Sequence, residues 1–284
     1  MSRWEHRVSR TELSRMAVVL LHQCIASYDS PPKVIVLDVD DTEDRVHGQQ
    51  EHARYDGYYG GSCFMPFHLY EGLSGRLITT ILKAKRFTGT QRLAVLKRVV
   101  KRLRQAWPDT LLIFRGDSHF AYPEVMQWLE AAPERSYVTG LTSNAVLQEL
   151  AREVVEQAQR AYAYSGHKVT RFHSTRSQAG TWSRSRRVVI TVEVCEQGVN
   201  TRCVVTNLEQ ARTKVLYQQI YCARGQAENE IKDHKLYLQS DRTSCHRFEA
   251  NQFRLLLHSA AYGYTRARIG SRYHCPRRAQ WRRF

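Results

Sequence analysis

Residues 33–40 read Lys-Val-Ile-Val-Leu-Asp-Val-Asp, and this stretch constrains the fold more than any other. A short β-branched, apolar run of this kind predicts a buried strand. It ends in two acids two residues apart, so Asp38 and Asp40 leave the strand on the same face. A buried strand needs cover, and the chain supplies helices. Ser9-Arg10-Thr11-Glu12 fits a capping box, and Leu13, Met16, Val19 and Leu20 continue a helix to about residue 26. Residues 90–107 place Leu93, Leu96, Val99, Val100, Leu103 and Trp107 on one side. Lys97, Arg98, Lys101, Arg102 and Arg104 lie on the other, which makes an amphipathic helix.

The remaining elements follow in order. The polar, Gly- and Tyr-rich residues 43–61 read as loop. Residues 63–70 and 76–82 read as strands of a hairpin turning at Gly72 and Gly75. Residues 110–114 form a strand that runs into Arg115-Gly116-Asp117. Pro123 opens a short helix, 136–141 is a strand and 143–162 a helix. Hairpin-linked strands followed by helix-linked ones predict an α/β fold (α+β mixed sheet), covered by helices, in the order of the ribonuclease H-like fold. The strand-like segments 168–175, 187–195 and 202–206 then form a β insertion between Asp117 and Glu228. The organisation expected is an N-terminal helix in 1–30, a core in 31–165, the insertion in 166–210, helices completing the core in 211–265 and a basic tail in 266–284.

Charge narrows the partner. Lys plus Arg is 43 against 27 Asp plus Glu in 284 residues, a net charge of +16, which favours a polyanion such as DNA. A hydrophobic fraction of 42% excludes a disordered basic tail. The seven cysteines form no CxxC pair, so neither a zinc site nor a disulfide framework is expected, and reduced thiols point to the cytoplasm. The longest apolar run, residues 16–21, is too short for a membrane span, and no signal peptide is visible.

Residues 211–235 read as one long helix. At about 100° per residue, Tyr221, Arg224, Glu228, Lys232 and Lys235 fall on one narrow stripe. A cationic stripe around a single acid is expected to face DNA. The acids Asp38, Asp40, Asp117 and Glu228 supply oxygen donors of the kind hard Mg²⁺ or Mn²⁺ prefers, and two such ions about 3.5–4 Å apart can drive phosphoryl transfer.

The spacing Tyr221, Arg224, Glu228, Lys235 resembles the Tyr-Arg-Glu-Lys signature of DDE insertion-sequence transposases without a gap. Ala-Arg-Gly-Gln-Ala-Glu-Asn at 223–229, Ser-Asp-Arg-Thr-Ser at 240–244 and Asn-Gln-Phe-Arg-Leu-Leu-Leu-His at 251–258 look like the DDE group 1 branch. So do the acid blocks at 36–42 and 114–120. The resemblance implies Asp40, Asp117 and Glu228 as the catalytic, metal-binding triad, with Asp38 the alternative first acid. It implies phosphate contacts by Tyr221, Arg224 and Lys235, two divalent ions, and DNA cleavage and strand transfer at transposon ends bearing inverted repeats, in a homodimeric synaptic complex. Trp182 in the insertion reads equally as a DNA contact or a core residue. Members of that branch usually carry a longer N-terminal region, so a shortened copy is expected.

Two other classes compete. Asp38-Val39-Asp40-Asp41-Thr42 satisfies the DxDxT box of haloacid-dehalogenase-like phosphatases, with Asp38 as nucleophile, but Ala121 stands where a later acid is needed. A non-catalytic DNA-binding remnant explains the charge but not the placed acids.

Overall fold

Val34–Asp41 (β1) forms the strand expected of it, with Ile35 to Val39 buried. The computed structural model describes residues 2–84 and 87–270, so most of the Arg-rich tail expected at 266–284 lies outside the described residues. The chain divides into two compact units, residues 1–110 with 225–284, and residues 111–224.

The first unit begins with Ser2–Glu5 (α1) and Arg10–Ala26 (α2). The capping box is present: the Ser9 side chain accepts from the Glu12 backbone N–H, and the Ser9 N–H donates to Glu12 Oε2 at 2.7 Å. After β1 come Asp44–Arg45 (β2), Arg54–Asp56 (β3) and Gly61–Phe64 (β4), a small three-stranded sheet in the order β2-β4-β3. Residues 43–61 are thus not wholly loop. The strand expected over 63–70 is interrupted at Pro66, which has no N–H for a ladder; beyond it Phe67–Glu71 (β5) pairs antiparallel with β1 and with Arg76–Ile81 (β6). Gly89–Ala106 (α3) follows, capped by Thr88 and Gln91.

The same unit is completed by Gly225–Leu238 (α7) and Phe248–Gly270 (α8). α7 packs on β1 and α8, and α2 packs on β6 and α8. Two apolar clusters hold these layers, one of Leu13, Leu20 and Leu256, the other of Tyr70, Leu77, Ala227, Ile231 and Tyr262. Glu230 is buried in the second, where it accepts from Tyr262 Oη and pairs with Arg266. Gly75 (φ +70°) closes the β5–β6 turn against this carboxylate, where a Cβ would collide with it.

In the second unit Leu111–Gly116 (β7) runs parallel to Arg135–Leu141 (β8), with Pro123–Glu130 (α4) between them. Ala145–Ser165 (α5) follows, N-capped by Asn144 and ended by Gly166 at φ +68°. Val169–Ser177 (β9), Arg186–Cys195 (β10) and Gly198–Thr206 (β11) realise the inserted strands. β11 pairs with β8, so they extend one sheet in the order β7-β8-β11-β10-β9. Trp182 is buried, with the Arg186 guanidinium 5.2 Å from its ring centre, so it is a core residue. In chain order, antiparallel strands, then helix, strand, helix and a parallel strand make the mixed α/β, ribonuclease H-like fold with β strands inserted before the last helices.

The long helix expected from 211 is corrected. It consists of Thr213–Val215 (α6), a π-helical stretch Leu216–Tyr221, a 3₁₀ turn Cys222–Arg224, and only then α7. The Cys222 N–H donates to the Tyr217 carbonyl, five residues back. Buried Arg115 draws the Ile220 carbonyl into a 2.7 Å hydrogen bond. A π turn is wider and a 3₁₀ turn tighter than an α turn, so a uniform 100° rotation does not link Tyr221 and Arg224 to Glu228.

Candidate functional site

β1 and the segment after it carry five acids, of which the first unit sorts the four aspartates by environment. Asp38 and Asp40 share a face; Asp38 is only 1% exposed, and Asp40, nearer the strand end, is half-buried. Asp41 points to the opposite face, where its carboxylate takes Lys83 at 2.9 Å and Arg92 at 2.8 Å. All three side chains of this triad are buried. Asp44 is also buried, and Lys235 of α7 lies 3.1 Å from its Oδ1.

α7 is amphipathic. Ala227, Glu230, Ile231 and His234 are buried, while Glu228 and Lys232 are exposed one turn apart. Glu228 stands in the first turn, where the helix dipole favours a carboxylate. Behind this face, His68, paired with Asp40 across β1 and β5, and His234 meet edge-on at 5.5 Å. Burial pushes His68 well below the ordinary histidine range and His234 down to about 4, so both rings are neutral at pH 7.

In the second unit Asp117 follows β7 and caps a 3₁₀ turn, Ser118–Phe120. Its Oδ1 accepts from the His119 N–H at 2.8 Å, and His119 Nδ1 lies 3.1 Å from Oδ2. Tyr221 reaches this turn across Gly140 of β8. A Cβ at Gly140 would stand 2.7 Å from Tyr221 Oη and 2.9 Å from Ser118 N. Burial pushes the Tyr221 phenol up, opposed by Arg224 and reinforced by the Asp117 charge. One chain of contacts therefore runs from Arg115 through Ile220 and Tyr221 to the Asp117 turn. Gly140→Ala is expected to force this contact apart at about 1–3 kcal/mol, read as a lower thermal midpoint.

The structure thus brings Tyr221 to Asp117, and Lys235 to the segment after Asp40, with Glu228 and Lys232 on the solvent face of α7. Among the described residues no three or more His, Cys, Asp or Glu side chains are placed to hold one ion. The donor chemistry of Asp40, Asp117 and Glu228, all carboxylate oxygen, nevertheless suits a hard divalent cation. Sequence reasoning missed Asp41–Lys83–Arg92, Glu230 and Arg115. Only the adjacency of Asp40 and Asp41, which puts them on opposite faces, hinted at the first.

Asp44 also gives a pH signature. Burial pushes its carboxyl from 3.8 up to about 7, opposed by Lys235 and reinforced by Asp241 and Glu43. The folded value lies above the ordinary one, so this contribution to stability is complete below about pH 3.8 and is lost as the pH rises through about 7. Thermal melts of Asp44→Asn are expected to lack this decline across that window.

No helix among the described residues is long and apolar enough to cross a membrane. No curated protein matches the chain. Among solved structures, the piggyBac transposase synaptic complex with hairpin DNA is similar at 12% identity and a TM-score of 0.48, over 88% of this chain and 50% of that one. The chain spans half the length of that transposase. A family model described as transposase DDE domain group 1 matches residues 1–277. On that match the chain belongs to the DDE group 1 transposase family.

Proposed function

We propose that this protein cuts DNA at the ends of an insertion sequence and joins the freed strand to target DNA, with Asp40, Asp117 and Glu228 as its reacting-centre carboxylates. The observation that carries this reading is the sorting of acids in the first unit. Asp41, Asp44 and Glu230 are buried against cations, whereas Glu228 faces solvent beside Lys232 and Asp40 is half-exposed at the strand end. Exposure at an element end leaves an acid in reach of substrate.

Bound Mg²⁺ or Mn²⁺, two ions in the proposal, would supply Lewis-acid stabilisation of the attacking and leaving oxygens. The protein's own part is to present the three carboxylates, with Asp38 buried behind Asp40, and to hold the DNA. Arg224 and Lys232 offset phosphate charge, and Tyr221 sets the Asp117 turn from one side while presenting its ring towards the DNA end. A homodimer holding two transposon ends, acting in the cytoplasm on the chromosome, completes the proposal. The phosphatase reading finds no support, because its nucleophile Asp38 is 1% exposed inside a strand.

The test is Mn²⁺-dependent cleavage of labelled DNA carrying the inverted repeats that flank the gene. Cleavage at the repeat end by wild type and not by Glu228→Gln is expected. Salt-dependent binding by both proteins with cleavage by neither would instead identify a DNA-binding remnant that has lost the reaction.

A further inference from the structure

Lys235 was expected on a phosphate, and the fold gives it another task. Its ammonium donates to the Glu43 carbonyl and lies 3.1 Å from Asp44 Oδ1, with the side chain 23% exposed and that of Asp44 only 2% exposed. One N–H of Lys235 is thus spent on the Glu43 carbonyl, and its charge lies against the buried Asp44 carboxyl of the same short segment. That segment begins directly after β1: Asp40 and Asp44 are four residues apart, and the Thr42 N–H is tied to the Pro66 carbonyl at 3.0 Å. Lys235 also sits seven residues beyond Glu228 on α7, two turns and roughly 10.5 Å along the same face. One ion pair therefore joins the helix that carries Glu228 to the strand end that carries Asp40.

We propose that Lys235 is a positioning residue, which sets Asp40 against Glu228 by anchoring Asp44 and the Glu43 carbonyl, rather than a phosphate ligand. Asp41 explains why an anchor is needed. It is clamped by Lys83 and Arg92 on the other face of β1, so the strand end is fixed from one side and requires a tie on the α7 side to hold Asp40 in place. The inference rests on the proposed triad, and its test separates the two.

The experiment compares wild type, Lys235→Gln, Asp44→Asn and the double variant. Three readouts are used: the slope of log binding constant for duplex DNA against log salt, Mn²⁺ binding by calorimetry, and Mn²⁺-dependent cleavage. An anchor predicts an unchanged salt slope for Lys235→Gln, with Mn²⁺ affinity and cleavage weakened roughly 10–100-fold. Asp44→Asn should weaken both in the same direction, and the double variant should lose little more than Lys235→Gln alone, because the two residues act through one contact. A phosphate ligand predicts a slope shallower by about 0.9 and losses that add in the double variant, and either result overturns the proposal, as does a Lys235→Gln protein identical to wild type. If wild type binds DNA and Mn²⁺ without cutting, the reaction assigned above fails, while the salt slope and the Mn²⁺ isotherms still decide the role of Lys235.

Discussion

Glu228→Gln will bind DNA as well as wild type and will not cut it. The side chain is exposed in the first turn of α7, where the glutamine keeps the shape, the helix and every cation around it. Removing one negative charge near a polyanion weakens nothing electrostatic, and the salt slope should be unchanged or slightly steeper. Cleavage should fall roughly 10³-fold or more, because a ligand carboxylate underwrites several kcal/mol of charge stabilisation and about 1.4 kcal/mol is a factor of ten. Gel-shift titration and end-labelled cleavage on the same preparations decide it. Parallel loss of binding and cleavage would remove Glu228 from the reacting centre.

Asp41→Asn should do the reverse of what its neighbour does. Asp41 is the shared counter-ion of Lys83 and Arg92, and all three side chains are buried. Its removal leaves two cations in a low-dielectric site, at a cost of about 3–5 kcal/mol. For a chain of this size that is on the order of 10 °C in thermal midpoint. Asp40→Asn, one residue away, should leave the midpoint nearly unchanged and stop cleavage. The two variants thus separate an acid that holds the strand from one that faces the reaction. Circular-dichroism melts beside the cleavage assay read both, and an Asp41→Asn protein as stable as wild type would refute the buried triad.

What the sequence showed and what it hid divide along a physical line. Alternation in β1 placed Asp38 and Asp40 on one face, and helical spacing placed Glu228 and Lys232 on one stripe of α7, because both rest on local periodicity. The capping box of α2 was likewise local. The breaks in the helix before α7 were hidden. Within them Ile220 accepts from Arg115, 105 residues earlier, and nothing within residues 211–224 announces that partner. The same holds for Asp41, whose cations lie 42 and 51 residues away, and for the Lys235 tie to Glu43, 192 residues apart. The inserted strands were visible as strands, but their joining of β8 needed a pairing between residues more than sixty apart.

The π-helical stretch Leu216–Tyr221 changes how this region can vary between copies. A π turn takes up about one residue more than an α turn, so helix register there is stored in the number of residues as well as in their kind. Loss of one residue from the stretch can be absorbed by reverting to α turns, leaving the chain on either side in phase, whereas the same loss inside α7 would rotate every later side chain by about 100°. Length variation should therefore concentrate at 216–221 and be absent from 225–238. An alignment that forbids a gap there would pair Tyr221 with the wrong residue in any relative whose helix runs straight.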